Sequence, residues 1–268
     1  MNYRDLFIII SLVLRVMQDR KWLSRTALIT GEEGLDRLEK AHVLVIGLGG
    51  VGSYAAEFIA RAGVGEMTIV DGDDVEASNR NRQLPALATT EGQSKALIME
   101  ERIKAINPSL RVHVIRDFLM PEVIEDVLSK PYDYVVEAID SITPKTIVMA
   151  TARKKGLRIV SSMGAGGKLD PTRLLVADIS KTHTCRFAQY VRKRLKKLGV
   201  RKGIKAVFST ELVIRESLMM TDGSRFKKSA YGTMSYLPAT FGAVCASVAI
   251  RDLLNDVKET DLSSEIKK

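Results

Sequence analysis

Short apolar runs alternate with helical segments between residues 31 and 161. The apolar runs are rich in β-branched residues, which is typical of buried parallel strands. They lie at residues 42–46, 67–70, 111–115, 132–138 and 158–161. The segments of helical spacing or composition lie at residues 31–41, 53–62, 95–106, 121–128 and 144–155. This alternation predicts an α/β fold with a doubly wound, mainly parallel Rossmann-like sheet.

The pattern changes after residue 161. Residues 164–167 form a glycine-rich turn, and residues 172–178 and 206–214 have the character of further strands. We therefore expect C-terminal strands to extend the sheet. Residues 186–205 are strongly basic, and residues 236–254 form an apolar helix that contains small side chains.

No linker divides the body of the chain, so the sequence predicts a single domain over residues 24–255. An N-terminal extension, residues 1–23, and a polar tail, residues 256–268, flank it. The extension holds an apolar run at 7–14, which is shorter than the roughly 20 residues that span a bilayer. Arg251 and Asp252 interrupt the apolar helix near its end. A buried or dimer-forming helix is therefore favoured, with at most a peripheral contact to a membrane.

The charge and cysteine content narrow the choice of partners. The chain carries a net charge of +9, which suggests an anionic partner such as nucleic acid or nucleotide. Its two cysteines, Cys185 and Cys245, form no CxxC pair, so the usual structural zinc site and a disulfide framework are excluded. This cysteine usage fits a reducing cytoplasm.

A glycine-rich loop follows the first strand and precedes a helix. Its glycines allow a tight turn and let a phosphate approach the backbone at the helix N-terminus. They are Gly47, Gly49, Gly50 and Gly52. Asp71 ends the next strand, where a carboxylate can accept hydrogen bonds from a ribose. These features predict an adenosine nucleotide and leave NAD and ATP both open.

Polar side chains beyond Asp71 favour ATP. They are Asp73, Asn79, Arg82 and Gln83, followed by Lys95 on the next helix. Two separated cations, Arg82 and Lys95, suit a triphosphate that is attacked at its α-phosphorus while pyrophosphate leaves. Asp140 follows the fourth strand, where its oxygens can hold Mg²⁺. We therefore expect Arg82, Lys95 and Asp140 to be the catalytic residues.

Several motifs resemble the ubiquitin-activating-enzyme superfamily, in its bacterial ThiF/MoeB/HesA branch. They are GLGGVGS, IVDGDDVEASNRNRQ, Lys95 and VVEAIDS. The resemblance implies that Asp71 binds the ribose of ATP, that Asn79, Arg82 and Lys95 bind its phosphates, and that Asp140 binds magnesium. It further implies that Arg25 reaches the nucleotide of a partner subunit, which would make the protein a homodimer.

Other stretches resemble one group within this branch, the tRNA threonylcarbamoyladenosine dehydratases. They are SRTALITGEEGL, ERIKAINP, AIDSITPKT, SSMGAGGKLDPT and VFSTE. This resemblance implies an enzyme that uses ATP to adenylate the threonylcarbamoyl carboxylate of a modified tRNA adenosine. A nucleophile of the same modification then displaces AMP and closes a ring, so no enzyme thiol is needed. A cysteine desulfurase is a further expected partner, in a sulfur relay.

Two other functions remain open. The first is an adenylyltransferase that activates a small sulfur-carrier protein, although members with that role usually carry paired CxxC motifs. The second is a nicotinamide-dependent oxidoreductase, because the glycine loop alone does not identify the nucleotide.

The basic stretch supports a tRNA substrate. No acidic residue occurs between Asp178 and Glu211. The lysines and arginines of residues 186–205 are Arg186, Arg192, Lys193, Arg194, Lys196, Lys197, Arg201, Lys202 and Lys205. Such a run can neutralise phosphates, but a solvated basic surface has the same composition. His42 and His113 lie in predicted strands and are expected to be structural.

Overall fold

The computed structural model describes residues 20–220 and 229–255. Its helices are α1 Ser24–Lys40, α2 Gly52–Arg61, α3 Lys95–Ile106, α4 Pro121–Val127, α5 Ile142–Lys154, α6 Arg186–Lys197 and α7 Tyr236–Leu254. Its strands are β1 His42–Ile46, β2 Glu66–Val70, β3 Arg111–Ile115, β4 Tyr134–Glu137, β5 Ile159–Ser162, β6 Leu174–Asp178, β7 Lys205–Ser209, β8 Leu218–Met220 and β9 Ser229–Tyr231. The expected α/β alternation is confirmed.

The central sheet has the strand order β3-β2-β1-β4-β5-β7-β6. The neighbouring strands are parallel except β6, which pairs antiparallel with β7 at the edge. The order reverses between β1 and β4, whose last residues Ile46 and Glu137 are paired. Ligands of doubly wound sheets bind in the crevice at such a reversal, outside the carboxyl ends of the strands.

The two faces of the sheet bury separate apolar clusters. Val43 and Val45 of β1 pack with α2, α3 and α7 on one face. Leu44 and Ile46 point to the other face and pack with α4, α5 and α6. Because a parallel strand is covered on both sides, successive residues must all be apolar, and this explains the continuous runs in the sequence.

Helix α7 is the core helix of the first face. Within the described residues it is long and apolar enough to cross a membrane by length and composition, and half of its most apolar window is buried inside the protein. Leu237, Phe241, Cys245 and Ala249 recur at helical spacing and are all buried. This burial matches the expected buried helix.

Four segments differ from the sequence-based predictions or add to them. Helix α1 begins at Ser24 instead of residue 31, and Gly31 interrupts it with φ 68° and ψ 171°. A glycine at positive φ allows this kink without steric cost. The kink interrupts the helical spacing of apolar residues, so the sequence pattern does not indicate the first half of the helix. The basic stretch contains helix α6, and the strand expected to reach residue 214 ends at Ser209. The β8–β9 hairpin was not anticipated.

The predicted domain bounds remain predictions. Residues 1–19 and 256–268 lie outside the described residues, so most of the expected extension and tail is untested. The predicted apolar run at residues 7–14 is among them.

The close packing of α7 against α2 depends on glycine at position 242, which has no side chain. A Cβ at Gly242 would overlap the carbonyl oxygen of Val51 and lie 2.9 Å from the Cβ of Tyr54. We expect Gly242→Ala to lower the free energy of unfolding by about 1–3 kcal/mol, because overpacking forces the helices apart. Because Val51 lies in the glycine loop, the affinity for ATP, the nucleotide that the sequence leads us to expect, should fall as well.

Urea denaturation and ATP titration measure these two effects. Ser247→Ala, at an exposed position of the same helix, is the control and should change stability by less than about 0.5 kcal/mol. Wild-type stability in Gly242→Ala would contradict the close approach of the two helices.

Candidate functional site

The glycine loop, residues 47–52, connects β1 to α2 at the reversal of strand order. Gly47 has φ 86°, and a Cβ there would lie 3.1 Å from the carbonyl oxygen of Ala138. A Cβ at Gly52 would overlap the carbonyl oxygen of Gly47. Both positions therefore need glycine, and the tight turn places the first N–H groups of α2 at the crevice. Unpaired N–H groups at a helix start attract anions.

Gly49 and Gly50 face the polar segment that follows β2. A Cβ at Gly49 would have only the side chain of Gln83 within 4 Å. A Cβ at Gly50 would lie 3.3 Å from the carbonyl oxygen of Arg82. The structure thus brings the predicted glycines together with two of the predicted polar residues.

Asp71 ties the glycine loop to the end of β2. Its Oδ2 accepts a hydrogen bond of 2.6 Å from the N–H of Leu48, and its Oδ1 accepts one of 2.8 Å from the N–H of Asp73. Burial raises the pKa of Asp71, while these N–H groups and Lys95 oppose the rise. Each carboxylate oxygen has a second lone pair, so the side chain can still accept a ribose hydroxyl.

Lys95 begins α3 and is buried against Asp73. Its Nζ lies 3.2 Å from Oδ2 of Asp73, and its backbone N–H donates to the Asp73 carbonyl over 3.1 Å. An ammonium group has three donors, so Lys95 can hold Asp73 and a phosphate oxygen at once.

Asn79 has a structural contact within the polar segment. Its Oδ1 accepts a hydrogen bond from the N–H of Glu76 over 3.2 Å, in a reciprocal cap of a short 3₁₀ helix. Its amide nitrogen donates to Ser78 Oγ over 3.3 Å. In this structure Asn79 therefore shapes the segment, and its predicted phosphate contact stays a prediction.

Gln83 offers a buried acceptor at the crevice. Its Oε1 is buried and has no hydrogen-bond partner within the described residues. A buried amide oxygen without a donor costs free energy, so the position favours a ligand that brings a hydroxyl or amine.

Arg82 and Asp140 are close enough to influence each other electrostatically. The guanidinium of Arg82 donates to the carbonyl of Ser78 over 3.0 Å and to Asn81 Oδ1 over 2.8 Å. Burial lowers the pKa of Arg82, and the negative charges of Asp140 and Glu76 oppose this. Asp140 is exposed just after β4. A single exposed carboxylate beside a phosphate site suits Mg²⁺, which is usually held by one or two carboxylates and the phosphates.

A buried ion pair beneath Asp140 was missed by the sequence analysis. Lys145 and Glu137 are fully buried, and Nζ of Lys145 lies 2.6 Å from Oε2 of Glu137. The hydroxyl of Ser161 donates to the same oxygen over 2.5 Å. Burial raises the pKa of Glu137, and Lys145 opposes that rise most strongly. A glutamate in an otherwise apolar strand was the signal that could have revealed this pair.

The ion pair fixes the backbone that carries Asp140. The N–H of Ile139 donates to Oε1 of Glu137 over 2.7 Å, and the carbonyl of Ile139 accepts from Lys145 over 2.9 Å. Both polar groups of the residue before Asp140 are therefore held by buried charges. Glu137 and Lys145 are positioning residues for the loop after β4.

Lys168 is a second buried cation that the sequence analysis missed. Its Nζ donates to the carbonyl oxygen of Gly164, and it lies 6.0 Å from the ring centre of Phe241. Burial lowers the pKa of Lys168, and the neighbouring Cys185 and Glu211 oppose this. Glu211 itself accepts backbone N–H groups from Leu169 and Asp170 over 2.8–3.0 Å, so it stabilises the turn after residues 164–167.

Arg25 lies apart from the described glycine-loop contacts. It is exposed on the first half of α1, beside Leu28 and Ile29, which are 87% and 89% exposed. Within the described residues it forms no ion pair. Its predicted contact with the nucleotide of a partner subunit stays a prediction.

Removing the buried cation tests the coupling between Lys145 and Glu137. We expect Lys145→Met to lower the free energy of unfolding by about 3–5 kcal/mol, because Glu137 would remain buried without a counter-charge. The double variant Glu137→Gln/Lys145→Met should recover part of this loss. Urea denaturation measures both, with Lys154→Met on the exposed face of α5 as the control. Equal stability of the single and double variants would contradict the coupling.

Comparison with known proteins agrees with the fold. Residues 23–268 match the ThiF family. The tRNA threonylcarbamoyladenosine dehydratase of Bacillus subtilis is 42% identical over 242 residues, which cover 88% of this chain and 95% of that protein. The crystal structure of the Escherichia coli tRNA N6-threonylcarbamoyladenosine dehydratase in complex with ATP is similar with a TM-score of 0.81. It is 40% identical, and the match covers 88% of this chain and 95% of that one.

Relatives that act on sulfur carriers match a smaller part of the chain. The sulfur carrier protein adenylyltransferase of Thermus thermophilus is 39% identical over 132 residues, 48% of each protein. The long matches therefore decide the assignment. The chain belongs to the ThiF family, in its group of tRNA threonylcarbamoyladenosine dehydratases.

Proposed function

We propose that this protein is an ATP-dependent tRNA threonylcarbamoyladenosine dehydratase that adenylates the threonylcarbamoyl carboxylate of a modified tRNA adenosine and closes it into a ring. The observation that carries the proposal is the set of groups at the strand reversal, which we call the nucleotide cradle: residues 47–52, Asp71, Arg82 and Lys95. They occur in a chain that is 40–42% identical to dehydratases over nearly their whole length. An ATP-bound relative of the same fold supports ATP as the nucleotide.

Each group of the cradle has a part in the proposed reaction. The loop N–H groups and the start of α2 hold the phosphates, and Asp71 accepts the ribose hydroxyls. Arg82 and Lys95 stabilise the charge that develops as a carboxylate oxygen attacks the α-phosphorus and pyrophosphate leaves. Asp140 would hold Mg²⁺, which would supply further neutralisation of the phosphate charge.

The second step needs no nucleophile from the protein. A nucleophilic atom of the same modification attacks the activated carbonyl carbon, AMP leaves with one former carboxylate oxygen, and the ring closes. The nucleoside thus loses one water in total. Both cysteines are buried, and burial raises the pKa of Cys245 to about 12. Neither thiol is therefore suited to form a covalent intermediate.

Helix α6 supplies a surface for the tRNA. Ala188, Val191 and Leu195 bury one side of it, and its basic residues lie on the other. The helix begins at the active-site edge, since a Cβ at Gly164, just after β5, would lie 3.5 Å from the Cβ of Phe187. A basic face beside the crevice can hold the phosphates that flank the modified nucleoside.

The exposed start of α1 supports a homodimer. Leu28 and Ile29 are large apolar side chains with almost full exposure, and Arg25 lies one turn before them. Burying them against a second copy would place Arg25 at an interface, from which it could reach a partner's nucleotide. We place this enzyme in the cytoplasm, and a sulfur-relay cysteine desulfurase stays an expected partner.

A mass measurement tests the proposed reaction. The protein is incubated with ATP, Mg²⁺ and tRNA that carries threonylcarbamoyladenosine, and the digested nucleosides are analysed by mass spectrometry. We expect the modified nucleoside to lose the mass of one water. Asp140→Asn should slow this reaction by a factor on the order of 10²–10³, since it removes one source of charge stabilisation.

The control for this variant is Asp126→Asn, at an exposed position on α4 that should react like the wild type. Unchanged nucleoside mass, with a folded protein that binds ATP, would overturn the dehydratase assignment. ATP–pyrophosphate exchange that depends on a small protein ending in Gly-Gly would instead favour the sulfur-carrier alternative.

Charge reversal on α6 tests the tRNA surface. Lys193→Glu/Lys197→Glu should weaken tRNA binding and reduce the slope of log affinity against log salt by roughly 1.4–1.8, because each lost phosphate contact contributes about 0.7–0.9. Lys40→Glu/Lys130→Glu is the matched control, since these exposed lysines lie outside α6, just before β1 and β4. Equal losses in both pairs would show a general charge effect and remove α6 from the proposal.

A further inference from the structure

Two histidines and a glutamate meet at the amino end of the sheet. His42 begins β1 and pairs with Glu66 at the start of β2, while His113 of β3 pairs with Thr68. Side chains two residues apart in a strand share a face, so all four point to the same side of the sheet. The three histidines do not cluster in the sequence, and only strand register brings two of them together.

The three ligand-type atoms converge on one point. Nε2 of His113 lies 2.8 Å from Oε1 of Glu66, and Nδ1 of His42 lies 3.6 Å from the same oxygen. One ligand atom from each residue lies within 4.8 Å of the others. Ligands of a tetrahedral ion are bound at about 2.0–2.2 Å and stand a little over 3 Å apart, so small side-chain rotations suffice.

The surrounding residues hold the cluster in this arrangement. Arg111 donates to Oε2 of Glu66 over 2.6 Å, which leaves Oε1 turned toward the histidines. Thr68 Oγ1 lies 2.8 Å from Nε2 of His42, which leaves Nδ1 of that ring facing Glu66. Second partners of this kind fix ring orientation at metal sites.

A buried hydroxyl beside the cluster points to a ligand independently. The ring of Tyr132 packs edge-on against His42 with 4.7 Å between centres, and the residue is only 6% exposed. Its hydroxyl is buried near Thr68 and Glu66 without a well-aligned hydrogen bond among the described residues. A water bound to an ion in the cluster would give this hydroxyl a partner.

We propose that His42, Glu66 and His113 bind one divalent transition-metal ion of the zinc class. Two imidazole nitrogens and one carboxylate oxygen suit Zn²⁺, Co²⁺ or Ni²⁺, whereas Mg²⁺ and Ca²⁺ prefer oxygen ligands alone. His113 is half-exposed, so an ion can enter from solvent and keep a water as its fourth ligand. Glu66 would then bridge to the ion instead of directly to His113.

This site is separate from the nucleotide cradle. It lies at the amino ends of β1–β3, whereas the cradle lies at the carboxyl ends, about 13 Å away along a five-residue strand. An ion there would link the neighbouring strands β1, β2 and β3 at the end of the sheet opposite the glycine loop. Its effect is therefore on stability and not on the adenylation step.

Metal titration of the tag-free, full-length protein tests the inference. CoCl2 and ZnCl2 are titrated separately by absorbance and calorimetry. We expect one ion per chain, with visible d–d bands for cobalt, and a dissociation constant at least about tenfold weaker in His113→Ala. His183→Ala is the matched control, because His183 is the third histidine of the chain and is exposed elsewhere.

A second readout guards against a loss of folding. Zn²⁺ should raise the Tm of the wild type and of His183→Ala, and it should leave the Tm of His113→Ala and Glu66→Gln unchanged. Binding that is equal in wild type and His113→Ala, or lost equally in His183→Ala, would overturn the proposal. Absence of one-to-one binding at micromolar protein would also overturn it, and the cluster would then be a salt-bridge network alone.

Discussion

The close approach of Gly52 to the backbone of Gly47 is the constraint on which the site depends. A side chain there would overlap the carbonyl oxygen of Gly47, so only glycine lets helix α2 start directly against the end of β1. That start places the free N–H groups and the positive end of the helix at the strand reversal. Asp71 then fixes the loop through Leu48, and the polar segment after β2 closes over Gly49 and Gly50. All of these contacts lie at the carboxyl ends of the adjacent strands β1 and β2, and together they form the cradle.

This locality explains why much of the site could be predicted from sequence. In a parallel sheet, residues that follow the strands lie at one edge, so Gly47, Asp71 and Asp140 could be brought together from strand ends alone. The alternation of apolar runs and helices also gave the order of elements, since every central strand is buried on both faces. Bounds were weaker where a glycine, as at Gly31, broke the helical period.

The buried ion pair and the histidine cluster could not be predicted in the same way. Glu137 and Lys145 are eight residues apart, but their contact depends on how α5 packs back onto β4, which no periodicity shows. His42, Glu66 and His113 meet through strand register, and a register shift of one residue would turn a side chain to the opposite face. Lys168 was hidden for a related reason, because a lysine beside a glycine turn resembles a surface residue.

The charged groups of the cradle are held in place by contacts within the protein. Lys95 forms an ion pair with Asp73, and Arg82 donates hydrogen bonds to neutral oxygens. Asp71 accepts hydrogen bonds from two backbone N–H groups. These contacts fix the side chains in place, so binding a triphosphate requires little reorganisation. Gln83 keeps an acceptor without a donor. Phosphate oxygens would be stronger hydrogen-bond partners for Arg82 than carbonyl oxygens are, so these ordered side chains would favour the binding of a triphosphate.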